Sequence, residues 1–365
     1  MSKSYPTCLT RDYLSRWSLE DGIRELIQNS VDQDSNYIYR EGGELVFNTF
    51  GGTIDPKNLL LGVGTKTSDD SKRGGFSEGL LLSLLIMARE EVDITFINGE
   101  YQWIPVFEYN EDYQCETLTI LEEYAEESFD GVSITIDVGD SVADTVEKNT
   151  LFLQDDYEHY ETSQGTILLG EEHKGRIYVG GLFVDLFDSQ YGFDFLPECF
   201  ELDRDRKSLK PFDIQWTIKD LIAEMSSSEL DDDLSDRVVS SMESNDKSMQ
   251  YVNTYSVSDS ENFKKSAEKL YNEKYGGMIL TSDYSEAEEL RESGNKNVAY
   301  VNNSSFVTLV KSSESHQVVY GARKEKETFS IDEMLDKFED EWQHEMNVDM
   351  YEAWEKLSNE IKERT

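Results

Sequence analysis

The sequence predicts an α+β fold, and three features carry this prediction. Residues 19–34 have the apolar spacing of an amphipathic helix, and residues 44–47 follow as a strand. Two runs of strand-forming residues, 166–169 and 176–184, are separated by a turn. After Ser330, apolar residues recur at helical spacing to the end of the chain. Helices and strands in such separate runs are typical of the α+β class.

The helix predicted over residues 19–34 carries a polar face. Glu25, Asn29 and Asp32 are spaced so that they project from the same side of a helix. A carboxylate beside a carboxamide suits magnesium–nucleotide chemistry, because the amide oxygen can hold a hard cation while the carboxylate orients or deprotonates a water. The alternative is an ordinary solvated polar stripe.

Glycine-rich segments follow this helix. In chain order they are Asn48-Thr49-Phe50-Gly51-Gly52, Gly64-Thr65-Lys66 and Gly74-Gly75-Phe76-Ser77-Glu78-Gly79. The last of them runs directly into an apolar helix. A glycine loop at a helix N-terminus presents backbone N–H groups and the positive end of the helix dipole, which together favour phosphate binding.

The order of these motifs resembles the Bergerat-fold ATPases, the superfamily of gyrase B, the Hsp90 chaperones, MutL and the sensor histidine kinases. The resemblance implies an α/β sandwich over residues 1–145 that binds ATP and magnesium. It also implies that Glu25 is the general base, that Asn29 is the magnesium ligand, and that residues 62–79 form a lid over the phosphates. The implied nucleotide contacts are Asn29, Asp32, Asn48, Gly52, Thr65, Lys66, Gly74, Gly75, Phe76, Ser77 and Gly79.

The sequence departs from the family pattern at several positions. The adenine-reading Asp of the family's Asp-x-Gly-x-Gly box falls on Asn48, and its first Gly falls on Phe50, so only Gly52 matches. A neutral amide oxygen still accepts a hydrogen bond from the adenine amino group, but more weakly than a carboxylate, which predicts a soft base preference. Val132 replaces a usual hydroxyl residue, and Ser77 replaces a lid glycine.

A cation-rich segment lies further along the chain, at Leu202-Asp203-Arg204-Asp205-Arg206-Lys207-Ser208. Residues 146–225 resemble the transducer, the second α/β domain of gyrase- and MutL-like relatives, which sends a cation to the γ-phosphate. The resemblance makes Lys207 the candidate catalytic cation, followed by Arg204 and Arg206. The alternative is a surface cluster of ion pairs, which contributes little to stability.

The remaining chain is predicted to hold a linker and an acidic C-terminal α/β module. Residues 226–250 are polar and indicate a hinge or a solvated helical linker. Within residues 251–365, a helix near 260–274 precedes a βαβ unit over 276–301. The apolar stripes after Ser330 serve as core or as a docking surface for a partner helix.

The formal net charge of −42 predicts which partners the protein meets. The chain has 76 acidic residues against 34 basic ones, so it repels phosphate backbones, and a basic protein is a better partner than duplex DNA. The alternative is an acidic surface that serves only solubility. The sequence offers no bilayer-spanning apolar stretch and no cysteine framework, which predicts a cytoplasmic protein, in the host cytoplasm if viral.

The predicted function is that of a magnesium-dependent ATP-binding protein, a slow ATPase that uses ATP for conformational switching and for interaction with a protein partner. The expected reaction is attack of water on the γ-phosphate, with the water positioned by Glu25. Two alternatives stay open. One is an acidic DNA mimic or decoy with a vestigial or regulatory nucleotide site, and the other is a chaperone-like clamp that forms a homodimer on ATP. The lid and the cation-rich segment are similar to those of bacterial and viral ATPases.

Overall fold

The computed structural model describes residues 2–31, 36–60, 78–200 and 209–319, together with 334–335, 338–339, 342, 344, 346 and 348–362. The chain divides into two compact units, Met1–Glu224 and Met225–Thr365. Helices combined with mainly antiparallel sheets confirm the predicted α+β class. The finer division into an ATP-binding domain, a transducer-like domain and a C-terminal module stays a prediction.

The first unit contains a seven-stranded antiparallel sheet in the order β1-β6-β5-β4-β7-β3-β2. Its strands are β1 (Lys3–Thr10), β2 (Asn36–Glu41), β3 (Glu44–Phe50), β4 (Asp93–Asn98), β5 (Tyr101–Asn110), β6 (Cys115–Tyr124) and β7 (Gly131–Asp137). Strand β3 pairs with β7 without a break, so that Leu45 lies opposite Ile136 and Phe47 opposite Ile134. Since side chains alternate across a strand, these four residues share one face of the sheet.

Three helices in this unit are α1 (Leu19–Val31), α2 (Gly79–Arg89) and α3 (Asp140–Lys148). Helix α1 begins where the backbone N–H of Ser18 donates to the Asp21 carboxylate at 2.9 Å, as expected of a capping side chain. Ile23 and Leu26 of α1 join Phe47 in the main apolar core. The face of the sheet that carries Leu45 and Phe47 is therefore the face toward α1, called here the helix side.

Helices α1 and α2 approach each other closely at Gly22. A Cβ atom placed on Gly22 would lie 2.9 Å from Cβ of Ile86, which is fully buried in α2. Only a residue without a side chain permits this approach. The close packing holds the polar face of α1 next to the first turn of α2.

A second sheet in the first unit has the order β11-β10-β12-β9-β8. Its strands are β8 (His159–Thr162), β9 (Gly165–Leu168), β10 (Arg176–Val179), β11 (Leu182–Leu186) and β12 (Gly192–Phe195), and α4 (Pro211–Ser226) follows. The run predicted as one strand at 176–184 is a hairpin, because Gly180 and Gly181 both adopt positive φ and reverse the chain. Strands β10 and β12 are parallel, and the other neighbours are antiparallel.

The second unit is mostly helical. Among the described residues, its helices are α5 (Asp232–Glu243), α6 (Thr254–Val257), α7 (Glu261–Tyr275), α8 (Tyr284–Glu292), α9 (Ser304–Lys311) and α10 (Val348–Lys362). Parallel strands β13 (Ile279–Thr281) and β14 (Val298–Tyr300) flank α8, which confirms the predicted βαβ unit. Val238, Val239 and Met242 of α5 are buried, so this part of the predicted linker belongs to a folded core.

None of the helices in the described ranges is long and apolar enough to cross a membrane.

Candidate nucleotide site

The structure brings together three of the residues that the sequence predicted to bind a nucleotide. A Cβ atom placed on Gly79, the first residue of α2, would lie 2.5 Å from Oε2 of Glu25 and 3.1 Å from Nδ2 of Asn29. Glu25 and Asn29 are both half-buried on α1. Because Gly79 has no side chain, a carboxylate and a carboxamide reach the start of α2.

The first turn of α2 supplies backbone donors beside these two side chains. The residue before the helix, Glu78, makes no side-chain bond that caps the first turn, as far as the described residues show. Ser83 turns inward, and its hydroxyl donates to the Gly79 carbonyl at 2.8 Å. The first N–H groups of a helix have no partner within it and favour anionic ligands such as phosphate.

The Asn29 side chain has an amide nitrogen that is available to bond to a ligand. Its Nδ2 atom is buried and has no hydrogen-bond partner among the described residues. Leaving a buried polar atom without a partner costs about 1–3 kcal/mol. A ligand that bonds to the amide recovers this energy. Turning the amide over presents the oxygen, the atom that a magnesium ion takes.

The strand register argues against Asn48 as the residue that reads the base. Asn48 lies opposite Ser133, one position away from the pair of Phe47 and Ile134 that packs on the helix side. Its side chain therefore lies on the other face of the sheet, away from α1. Thr49 is the residue at this end of β3 on the helix side, where it pairs with Val132.

Asn98, which sequence analysis missed, and Gly131 shape this end of the sheet. Asn98 of β4 is buried, and its amide bonds both backbone groups of Ile54, at 2.8 and 2.9 Å, which fixes the loop after β3. A Cβ atom placed on Gly131 would lie 2.0 Å from the Thr49 carbonyl oxygen, so only glycine fits there. Gly52 lies exposed in the same loop.

A hydrogen bond ties α1 to the second sheet. The Arg24 side chain donates from Nη1 to the Phe183 carbonyl of β11 at 2.8 Å. A cleft of about 140 Å³ lies beside it, lined in part by Val146 and Thr150. The neighbouring backbone bridge from Thr150 to Leu182 adds a second connection. Arg24 adjoins Glu25 in sequence, so the second sheet holds the helix that carries the candidate base.

A buried polar network also fixes the C-terminal end of α3 to the second sheet. Arg176 donates to the Tyr178 hydroxyl at 2.7 Å and to the Asn149 side chain at 2.6 Å. Tyr178 in turn donates to the Lys148 carbonyl at 3.1 Å. Burial raises the pKa of Tyr178, so its hydroxyl keeps the proton that it donates.

Several predicted site residues lie outside the described residues, and their roles stay predictions. They are Asp32, Thr65, Lys66, Gly74, Gly75, Phe76, Ser77, Arg204, Arg206 and Lys207. Among the described residues, no group of three or more His, Cys, Asp or Glu side chains forms a metal site. A magnesium ion at Asn29 would therefore need further oxygen ligands, and nucleotide phosphates supply these.

No protein-family model matches the sequence, and no curated protein matches it.

Proposed function

We propose that the chain binds magnesium–ATP and hydrolyses it slowly, as a switch that controls its interaction with a protein partner. The observation that supports this proposal best is the contact of Glu25 and Asn29 with Gly79 at the start of α2. A carboxylate, a carboxamide and the N-terminus of a helix suit a water, a hard cation and a phosphate respectively.

The residues fit these ligands in three ways. The first turn of α2 donates backbone N–H groups to phosphate oxygens. Asn29 brings an amide whose buried nitrogen lacks a partner among the described residues and can donate to a ligand oxygen, while its oxygen would hold magnesium. Glu25 accepts a hydrogen bond from water and takes up its proton. When bound, magnesium would offset the negative charge of the triphosphate.

A second candidate function is favoured by the charge. An acidic DNA mimic or decoy would occupy a basic protein and keep the nucleotide site as a regulator or in a vestigial form. Both functions place the protein in the cytoplasm, or in the host cytoplasm if viral, and both involve a basic protein rather than duplex DNA. The ATP-dependent clamp, a homodimer, is the intermediate case. Binding and turnover of ATP separate the first function from the second.

The proposal predicts that ATP binds in a magnesium-dependent way and that Asn29→Ala weakens this binding by about tenfold. The substitution removes the oxygen that would hold the cation and leaves the phosphate donors of α2 in place. Equilibrium dialysis with ATP, with and without magnesium, measures the effect. Asn297→Ala, an exposed asparagine of the second unit, is the matched control. The proposal would be contradicted if ATP bound equally well with and without magnesium and equally well to the wild type and to Asn29→Ala.

Base recognition provides a separate prediction, because the register places Thr49 rather than Asn48 on the helix side. Thr49→Val is expected to weaken ATP binding about two- to tenfold, the value of one hydrogen bond. Thr49→Asp should raise the preference for ATP over GTP, since a carboxylate accepts strongly from an amino group. Asn48→Asp should leave the ratio of the two dissociation constants unchanged. If Asn48→Asp raised the preference for ATP over GTP and Thr49→Asp did not, Asn48 would be the residue that contacts the base.

A further inference from the structure

The C-terminal part of the chain exposes large apolar side chains. The exposed fractions are 57% for Met334, 43% for Phe338, 45% for Trp342, 55% for Met350 and 51% for Leu357. We call these five residues the apolar C-terminal surface. Single exposed apolar residues are common in soluble proteins, whereas a contiguous group marks a binding site.

Ring contacts join Phe338 and Trp342 of this group to Trp354. The ring of Phe338 lies 6.5 Å from that of Trp342 and 4.5 Å from that of Trp354, measured between centroids. Trp354 belongs to α10 and stands one helical turn from both Met350 and Leu357. The segment before α10 and α10 itself therefore contribute to one surface.

Other residues of this part of the chain are buried or hydrogen-bonded. Leu335 and Ser358 are buried, with 9% and 5% of their surface exposed. The Tyr351 hydroxyl donates to the Glu339 carboxylate at 2.7 Å. Ser358 of α10 is therefore covered, while Met350 and Leu357 of the same helix are exposed to solvent.

The negative charge of residues 330–365 favours a cationic partner. Residues 330–365 contain twelve acidic side chains against four basic ones. A second copy of this chain would bring the same negative charge, and an anionic lipid surface would be repelled. A cationic partner gains attraction from the acidic surroundings and burial from the aromatic rings.

We propose that the apolar C-terminal surface binds a cationic amphipathic helix of a partner protein. The apolar face of that helix would cover Phe338 and Trp342, and its Lys and Arg side chains would be attracted by the acidic side chains of residues 330–365, as in other helix-in-groove complexes. This proposal is independent of nucleotide binding, so either can fail without the other.

The test uses the purified full chain and three labelled synthetic peptides, with binding followed by fluorescence anisotropy. The first is a Leu/Lys peptide with leucines at helical spacing, the second a scrambled peptide of the same composition, and the third its Leu/Glu counterpart. We expect the first to bind tightest, with an affinity that falls but persists at high salt. Trp342→Ala should weaken its binding by at least about tenfold.

Trp216→Ala is the matched control, because Trp216 is an equally exposed tryptophan on α4 of the first unit, with 50% of its surface accessible. It should leave peptide binding unchanged. Phe338→Ala provides a second surface variant in case Trp342→Ala fails to fold. Equal binding of the ordered and scrambled peptides, or equal losses in Trp342→Ala and Trp216→Ala, would overturn the proposal. Dimerisation of the wild type that Trp342→Ala abolishes would also overturn it.

Discussion

Glu25→Gln is expected to lower ATP turnover by at least about a hundredfold and to leave ATP binding within a few-fold of wild type. The amide keeps the size of the side chain and its place beside Gly79 but cannot take a proton from water, and general-base catalysis contributes about 10²–10⁴-fold to such reactions. A residue needed only in the chemical step changes kcat rather than binding. Steady-state phosphate release together with equilibrium ATP binding measures both quantities.

The matched control is Glu20→Gln, which removes a carboxylate from an exposed position on the same helix. Its turnover should equal that of the wild type. If Glu25→Gln hydrolysed ATP as fast as the wild type, Glu25 would not be the base. If neither protein bound ATP, the acidic-decoy function would be favoured over the ATPase.

Local sequence patterns predicted α1 and the shared face of Glu25 and Asn29, because helical spacing alone fixes which residues project together. They also placed β3 and the βαβ unit of the C-terminal module. The contact of these two residues with Gly79 is long-range in sequence, and the motif order suggested it only through a family resemblance. The contact on which the proposed function depends was therefore the least local part of the prediction.

Errors in the prediction have identifiable physical causes. The base contact predicted for Asn48 stays a prediction, but a shift of one residue moves a side chain to the other face of a sheet, and the alignment of the glycine box did not consider this for Asn48 and Thr49. Continuous β-propensity over residues 176–184 hid the Gly180–Gly181 turn. The polar composition of residues 226–250 concealed the buried face of α5, which a period of 3.6 in Leu234, Val238 and Met242 would have revealed.

Other site residues carried no signal that a single sequence could display. Gly22 is needed because Ile86 lies against it, and Asn98 is needed because its amide bonds both backbone groups of Ile54. In the sequence, Arg24 resembles any surface cation of a helix. Its role follows from its hydrogen bond to the Phe183 carbonyl of β11. In each case the role is set by a residue distant in sequence, so only the assembled fold defines it.

Gly79→Ala is expected to lower ATP turnover by at least about tenfold while the protein stays folded. The added methyl group would take the position now reached by the Glu25 carboxylate and crowd the Asn29 amide. Because both are ends of flexible side chains, they will move and the backbone will not. A displacement of about 1 Å at a reacting group costs up to about a hundredfold in rate. Alanine in a helix is also favoured over glycine by up to about 1 kcal/mol, so the denaturant midpoint should hold or rise.

Comparing kcat with the urea midpoint separates these two effects for Gly79→Ala. Gly170→Ala is the matched control, because its methyl group crowds the Glu172 carboxylate near the second sheet in the same way. It should leave turnover unchanged, since Glu172 has no part in the nucleotide site. Wild-type turnover in Gly79→Ala would show that the approach of Glu25 to α2 is not used in catalysis. A fall in both turnover and midpoint would mean instead that the glycine serves helix packing, as Gly22 does.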